Sequence, residues 1–570
     1  MPPALRVAII GLGPKGMFAL ERLLDHGVGL PSEARIEVDV FEPHSVPGAG
    51  PIYDPGQPAY LRMNFAADKI DMWGATNEAV PRELQHSFVS WHQHNLGSCG
   101  GEFYPARADV GRYLAEGFGT LLRHTPPSIA VKVCRFAAVA VRRNDDGLVV
   151  EAADSSGRYD EVLIATGHAQ SWDGGLAEAW QHSAPLVPAV FPVEQWLARE
   201  RVPAGATVAI RGFALTFVDA ALALTEGRGG SFETLDHPYR LRYVPGDGDA
   251  GTIIPFSRTG RPMLAKPGSE VAATTALEEI AQRARAALQA LQAPLHLRDD
   301  VLPILVAATC SSLRCVGGKE DSCSERALST WLTTAMNGAS AAGGPGVVQR
   351  LTRSLDVSAG LEPPDLAWAF GHCWRSLYPA IVARLGGVGL ADRDWPPFRS
   401  LAGEAERVSF GPSPLNAAKL LALIEAGRVD VSCVAASRLV SDNGSTVLRS
   451  EIGERAVDVV VDAVLPGPGA QGRHTGLLAQ LLADGDVRVL PGRRGIDVDT
   501  DGGCRGSGGT RTPGLAAIGR PTEDAVIGND TLSRTLHPLA DRWATRIVQR
   551  SLSTSRVAVG AGGRLGSDAS

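Results

Sequence analysis

A short apolar run, Leu5-Arg6-Val7-Ala8-Ile9-Ile10, enters Gly11-Leu12-Gly13-Pro14-Lys15-Gly16 and then a stretch with Met17, Phe18, Leu20, Leu23 and Leu24 at helical spacing. A second apolar run, Ile36 to Phe41, ends on Glu42. Strand, G-x-G-x-x-G, helix, strand, acid in that order confines the start of the chain to a βαβ unit of a buried parallel sheet. Glycine lets the turn close tightly and lets backbone N–H groups approach a pyrophosphate, which then sits on the positive end of the helix. Glu42 is placed to accept from ribose hydroxyls, after a connection lengthened by Gly27 to Arg35. The plain alternative is a glycine-rich turn that binds nothing.

The pattern recurs. Ala206 to Arg211 is a strand, Gly212-Phe213-Ala214 a turn, and Leu215-Thr216-Phe217-Val218-Asp219 a helix start. Ala214 stands where a second glycine is usual, and its methyl limits the approach of a phosphate. A strand–helix turn with no nucleotide is the competing account. Ile253-Ile254-Pro255-Phe256 leads into Ser257-Arg258-Thr259-Gly260-Arg261, where two guanidinium groups suit a 2′-phosphate and so NADPH over NADH; a solvated basic loop is the alternative. Asp160-Glu161 opens an apolar strand that ends in Ala165-Thr166-Gly167-His168, and Gly514 to Ile518 is a further strand running into Gly519-Arg520-Pro521-Thr522.

From Pro267 to about Gly386 the chain turns Ala/Leu/Arg-rich, with helical spacing over Ala272 to Ala293, Val301 to Ala308, Arg326 to Met336 and Leu366 to Leu385, and loops at Gly338 to Gly346 and Ser358 to Pro364. The expected fold is α/β: two Rossmann-like dinucleotide-binding domains with an α-helical insertion. The division is 1–189 and 471–553 for the first domain, 190–262 and 405–470 for the second, 263–404 for the insertion, and 554–570 as a disordered tail.

Composition excludes more than it assigns. With 55 basic against 62 acidic side chains the net charge is −7, which argues against a nucleic-acid or membrane-surface footprint. No run reaches the ~18 to 20 apolar residues of a spanning helix, and no signal peptide is evident, so a cytoplasmic protein is expected. None of the 8 Cys forms C-x-x-C or pairs with His at zinc spacing, so no metal is expected and a dithiol reductase is disfavoured. G-x-S-x-G, HExxH and Walker motifs are absent.

In this order the motifs resemble the two-dinucleotide-binding-domain flavoprotein monooxygenases over about residues 5 to 262 and 405 to 550. The resemblance implies FAD on Gly11, Gly13, Pro14, Lys15, Gly16 and Glu42, with Thr166, Gly167, Gly519 and Arg520 at the strand ends beneath it. It implies NADPH on Gly212, Ala214, Thr216, Arg258 and Arg261. The segment Tyr53…Gln57-Pro58…Leu61-Arg62-Met63-Asn64…Lys69-Ile70-Asp71-Met72-Trp73 would run along the isoalloxazine, with Met63 and Asn64 against the ring. It is most similar to the N-hydroxylating branch that includes nitrosuccinate-forming L-aspartate N-monooxygenases of natural-product pathways.

A dicarboxylic amino acid needs cations in its pocket, and Lys69, Arg62 and Arg375 are the candidates, with Asn64 beside them. Three of them have a plainer reading. Lys69 could pair with Asp68 or Asp71, Asn64 could cap backbone, and Arg375, in His372-Cys373-Trp374-Arg375, could snorkel from a core helix. Phe410-Gly411-Pro412-Ser413 reads as a structural turn before a helix. The expected activity is an FAD- and NADPH-dependent N-monooxygenase taking a small amino acid and O₂, without nucleic acid or membrane, and compatible with a homo-oligomer. The alternatives are an NAD(P)H-dependent flavin oxidoreductase with a quinone or other acceptor, and a non-catalytic nucleotide-binding protein.

Overall fold

The computed structural model describes residues 4–97, 103–144, 147–153, 155–168, 174–266, 274–317, 324–336, 343–471, 475–529 and 531–562. The chain divides into two compact units, residues 1–56, 65–172 and 467–570 in the first and 57–64 and 173–466 in the second.

The first unit is built on a six-stranded sheet in the order Gly503–Arg505, Arg511–Ala517, Glu161–Ile164, Leu5–Ile10, Ile36–Phe41, Ile129–Cys134. All neighbours are parallel except Gly503–Arg505, which runs antiparallel at the edge. Val7, Ala8 and Ile9 are fully buried, as expected of a strand covered on both faces. The helix Pro14–His26 takes Gly13 as its N-cap with Pro14 in its first turn, where a missing N–H costs nothing. Its buried Met17, Leu20, Leu23 and Leu24 form the core face.

The last helix, Leu539–Gly562, is tied down by polar contacts. Glu161, fully buried at the start of its strand, accepts from Arg546 Nη2 at 2.6 Å and Trp543 Nε1 at 3.2 Å. Glu161, one of the two acids that open this strand, is thus half of an internal ion pair. This helix also corrects the expected tail. Ser553 and Thr554 hydroxyls donate to the carbonyls one turn back, and Ser555 Oγ donates to Glu33 O at 3.0 Å, so the chain stays helical to Gly562. Residues 563–570 lie outside the described part.

The second unit carries a four-stranded parallel sheet, Thr252–Phe256, Thr207–Arg211, Val459–Asp462, Leu186–Val187. Two boundaries differ from those expected. Leu186–Val187 pairs with Val460 and Val461, which places it in the second sheet although it precedes residue 190. Leu61 is buried in the apolar core of the second unit, so 57–64 belongs there and not with the first glycine turn.

The insertion is helical: Thr275–Ala290, Leu302–Cys315, Glu325–Met336, Gly343–Ser358, Leu366–Leu385 and Trp395–Ser409. Gly343–Ser358 begins inside the expected 338–346 loop, because Val347, Leu351 and Leu355 bury one face at intervals of one turn. Residues 337–342 lie outside the described part. Trp395–Ser409 runs through the expected 404/405 boundary. Leu277, Leu313, Val357, Trp368 and Ala369 form one of its cores. Among the described residues no helix is long and apolar enough to cross a membrane.

Candidate dinucleotide sites and substrate residues

In the first unit three strand ends converge. Gly11 N donates to Phe41 O, Ala165 N to Ile10 O, and Ile518 N to Ile164 O, each at 2.9 Å. The carboxyl ends of parallel strands are where such sheets bind ligands.

The three turn glycines do different jobs. Gly11 has φ +95°, and a Cβ there would stand 2.8 Å from Ala165 O. A Cβ on Gly16 would stand 2.0 Å from Gly11 O, so this glycine brings the helix against the turn. Gly13 has ordinary φ and nothing within 4 Å of a Cβ position. Open space over the first N–H groups of a helix is room for a phosphate.

Glu42 is buried, its Oε2 accepting from Leu12 N at 2.7 Å and Oε1 from His44 N at 2.8 Å. The carboxylate is thereby held at the glycine turn, with lone pairs left for hydroxyl donors. Thr166 Oγ1 is buried without a hydrogen-bond partner among the described residues. Gly519 has φ +78° and lies against Lys15, 3.2 Å from a Cβ position to Lys15 Cγ. Arg520 O accepts from Gly469 N at 2.9 Å. A cradle that a side chain would fill and an orphaned hydroxyl at the same strand ends fit a dinucleotide.

In the second unit Gly212 N donates to Phe256 O at 2.9 Å, Gly212 has φ +110°, and Ala214 caps Leu215–Ala223 in extended conformation. Thr216 is buried in the first turn. Arg258 is exposed on the loop after Thr252–Phe256, as a 2′-phosphate contact requires. Arg261 is not beside it in chemistry. Its Nη1 lies 3.0 Å from Glu404 Oε2, and Glu404 also takes a bidentate pair from Arg407 at 3.0 and 2.7 Å. Burial pushes the Arg261 pKa down while Glu404 opposes the shift. A guanidinium held this way is part of an internal ion pair.

The substrate candidates separate. Met63 is buried and Arg62 half-buried. Asn64 Nδ2 donates to Phe410 O at 3.0 Å, and Asn64 O accepts from Lys266 Nζ. Arg375 Nη1 donates to Ser409 O at 3.2 Å. These four positions lie in the second unit; Lys69 lies in the first, exposed on the short turn Ala67–Lys69. Its expected competitors are otherwise engaged or solvated: Asp71 Oδ1 accepts from Trp73 N at 2.9 Å and Tyr113 OH at 3.1 Å, and Asp68 is exposed. Burial pushes the Asp71 carboxyl up. Sequence reading missed Lys266, Glu404 and the Ser409 and Phe410 carbonyls. Only proximity in space marks them.

Two mainly parallel sheets, each with a strand–glycine turn–helix unit, define an α/β protein with two Rossmann-like units. Residues 8–169 match a family model described as FAD-NAD(P)-binding. The chain is 30% identical over 297 residues to a nitrosuccinate-forming L-aspartate N-monooxygenase of Streptomyces cremeus, covering 47% of this chain and 44% of the relative. It is also 30% identical over 281 residues to a nitrosuccinic acid synthase of Aspergillus oryzae, covering 46% of this chain and 41% of the relative. The matched stretches span less than half of each relative's length. Among solved structures, an ornithine hydroxylase of Pseudomonas aeruginosa aligns at TM-score 0.47 and 11% identity, over 96% of this chain and 100% of that one. The resemblance to nitrosuccinate-forming N-monooxygenases drawn from the motifs is borne out by these relatives.

Proposed function

We propose that this chain is an FAD- and NADPH-dependent N-monooxygenase that oxidises the amino group of a small amino acid, L-aspartate to nitrosuccinate by successive oxygenations. The observation that carries the reading is the 30% identity to a nitrosuccinate-forming L-aspartate N-monooxygenase, in a chain that has a glycine turn in each of its two units.

The bound flavin would supply reduction by NADPH and transfer of an oxygen atom from O₂ to nitrogen. The chain's own residues would do the rest. The Gly11–Gly16 backbone and the start of Pro14–His26 hold the FAD pyrophosphate, Glu42 the ribose, and Thr166 Oγ1, Gly167, Gly519 and Arg520 line the strand ends. Gly212, Ala214 and Thr216 seat NADPH, with Arg258 on its 2′-phosphate. Lys69, Arg62 and Arg375 are the cations assigned to the substrate carboxylates, with Met63 and Asn64 along the flavin. In this arrangement cationic side chains fix the amino acid so that its unprotonated amine, and not water, meets the oxygen donor.

The test is NADPH oxidation by the FAD-loaded enzyme across a panel of amino acids, with hydroxylamine, nitroso product and hydrogen peroxide measured together. Oxidation tied to aspartate with N-oxidised product is expected. Consumption with artificial acceptors alone would replace this reading with a flavin oxidoreductase, and a purified protein that binds no flavin would leave only a nucleotide-binding fold.

A further inference from the structure

A cavity of about 200 Å³ lies within the helical part of the second unit, and its lining is unlike an ordinary core. Four arginines reach it, Arg350, Arg353, Arg375 and Arg407, against one carboxylate, Asp365. Three have identified work. Arg353 Nε donates to Asp365 Oδ2 at 3.2 Å and Arg353 also pairs with Glu362. Arg407 is held by Glu404, and Arg375 donates to the Ser409 carbonyl.

Arg350 is different. Its Nη1 is buried and has no hydrogen-bond partner among the described residues. Desolvation, with Arg407 nearby, holds its pKa below the ordinary arginine value. Trp368, on the same cavity, also buries an indole N–H without a partner among the described residues. Arg350 as a whole is half-buried and feels the Glu404 carboxylate, which opposes the shift, but a buried guanidinium N–H without an acceptor is costly. Arg350 lies on a helix whose Val347, Leu351 and Leu355 are fully buried, so its backbone cannot swing outward. Two buried donors without partners among the described residues, and an excess of positive charge around a small, partly open cavity, complement a small polyanion. The volume is far too small for a dinucleotide.

We propose that this cavity binds a small dicarboxylate, with Arg350 Nη1 and Trp368 Nε1 donating to its carboxylate oxygens. The amino-acid substrate of the proposed reaction and a separate dicarboxylate effector share this chemistry. Only the choice of the substrate as occupant rests on the N-monooxygenase reading.

The test is calorimetric titration of the FAD-loaded enzyme with succinate, which has both carboxylates and no amine to oxidise, in wild type, Arg350→Met, Arg350→Lys and Trp368→Phe. Arg350→Met is expected to weaken succinate at least ~10-fold and Trp368→Phe about 5-fold, with Arg350→Lys in between, as for loss of charge-assisted and neutral hydrogen bonds. Thermal stability should hold or rise in Arg350→Met, because a buried donor without an acceptor is removed. An aspartate KM raised by the same factor identifies the substrate as occupant, whereas an unchanged KM identifies an effector. Arg350-dependent succinate binding in a protein that never oxidises aspartate would keep the cavity and reject the N-monooxygenase reading. Succinate affinity unchanged in both Arg350→Met and Trp368→Phe, or no binding to wild type, overturns the proposal whatever the activity.

Discussion

Asn64 and Arg375 donate to the carbonyls of neighbouring residues, Asn64 Nδ2 to Phe410 O at 3.0 Å and Arg375 Nη1 to Ser409 O at 3.2 Å. Ser409 ends the helix Trp395–Ser409 and Phe410 is its C-cap. The last carbonyls of a helix lack intrahelical donors and carry its negative end, so an amide and a guanidinium are well placed there. Of these two residues named for substrate contact, Asn64 thus fastens the Met63-Asn64 segment to the end of that helix, and Arg375 ties the helix Leu366–Leu385 to the same end. Their substitution will disturb structure as well as binding, and the sharper tests lie elsewhere.

The glycine turn makes two opposite predictions. Gly13→Val places a side chain in open space, so the protein should fold with near-native thermal stability but purify with little FAD. Gly16→Ala puts a Cβ 2.0 Å from Gly11 O and should destabilise the fold itself. Absorbance at flavin wavelengths, set beside thermal melting, separates the two. Full flavin content in Gly13→Val would reduce the loop to a structural turn.

Arg258 and Arg261 should part company. Arg258→Ala is expected to weaken NADPH by ~1.5 to 3 kcal/mol and leave NADH nearly unchanged. Arg261→Ala removes a partner from Glu404, whose side chain is 1% exposed, and should cost about 2 to 3 kcal/mol of stability with little change in coenzyme preference. Steady-state kinetics with both coenzymes and denaturant melts decide it. Equal losses with NADPH and NADH in Arg258→Ala would sink its assignment to the 2′-phosphate.

Lys69 tests the oxygenase chemistry. It is exposed and outside any ion pair among the described residues, so Lys69→Ala should leave flavin content and thermal stability within about 0.5 kcal/mol of wild type. If its ammonium holds a substrate carboxylate, the aspartate KM should rise and more hydrogen peroxide should be released per NADPH, because the amine is no longer positioned. A variant with normal KM and normal coupling would remove Lys69 from the site.

His372 predicts an acid limb of stability. Burial, with Arg375 adding to it, holds its pKa at about 4 against 6.5 in a free chain. Below pH 6.5 the unfolded chain takes up a proton that the folded chain refuses until about pH 4. Stability should therefore fall across that window by about 2 to 3 kcal/mol and the loss should level off below it. The ring stacks on Trp368 at 5.1 Å, so His372→Phe can keep the contact while removing the titration. Urea melts between pH 7 and 4 should show a shallower slope in His372→Phe. An identical slope would mean that His372 is protonated normally in the folded state.

Local physics made the first βαβ unit legible in the sequence. A strand buried on both faces must be apolar throughout, a turn that closes on itself needs glycine, and a helix start tolerates proline; each leaves its mark within a few residues. Val7 to Ile10, Gly11, Gly16 and Glu42 stand where those marks put them, and the second unit repeats the pattern at Gly212. Partnership across long stretches of chain leaves no such mark. An arginine near a glycine in a strand-end loop reads the same whether it meets a phosphate or a buried acid, and only folding brings Glu404 to Arg261 and leaves Arg258 exposed. The same holds for the start of the tail, whose Gly and Ser suggested disorder, while the Thr554 and Ser555 hydroxyls donate to carbonyls one turn back. It holds again for Arg350, one arginine among many in the sequence, whose Nη1 is buried without a partner among the described residues. Sequence determined which backbone shapes were available; packing decided which charges would be satisfied and which left waiting, because desolvation depends on neighbours that the order of residues does not reveal.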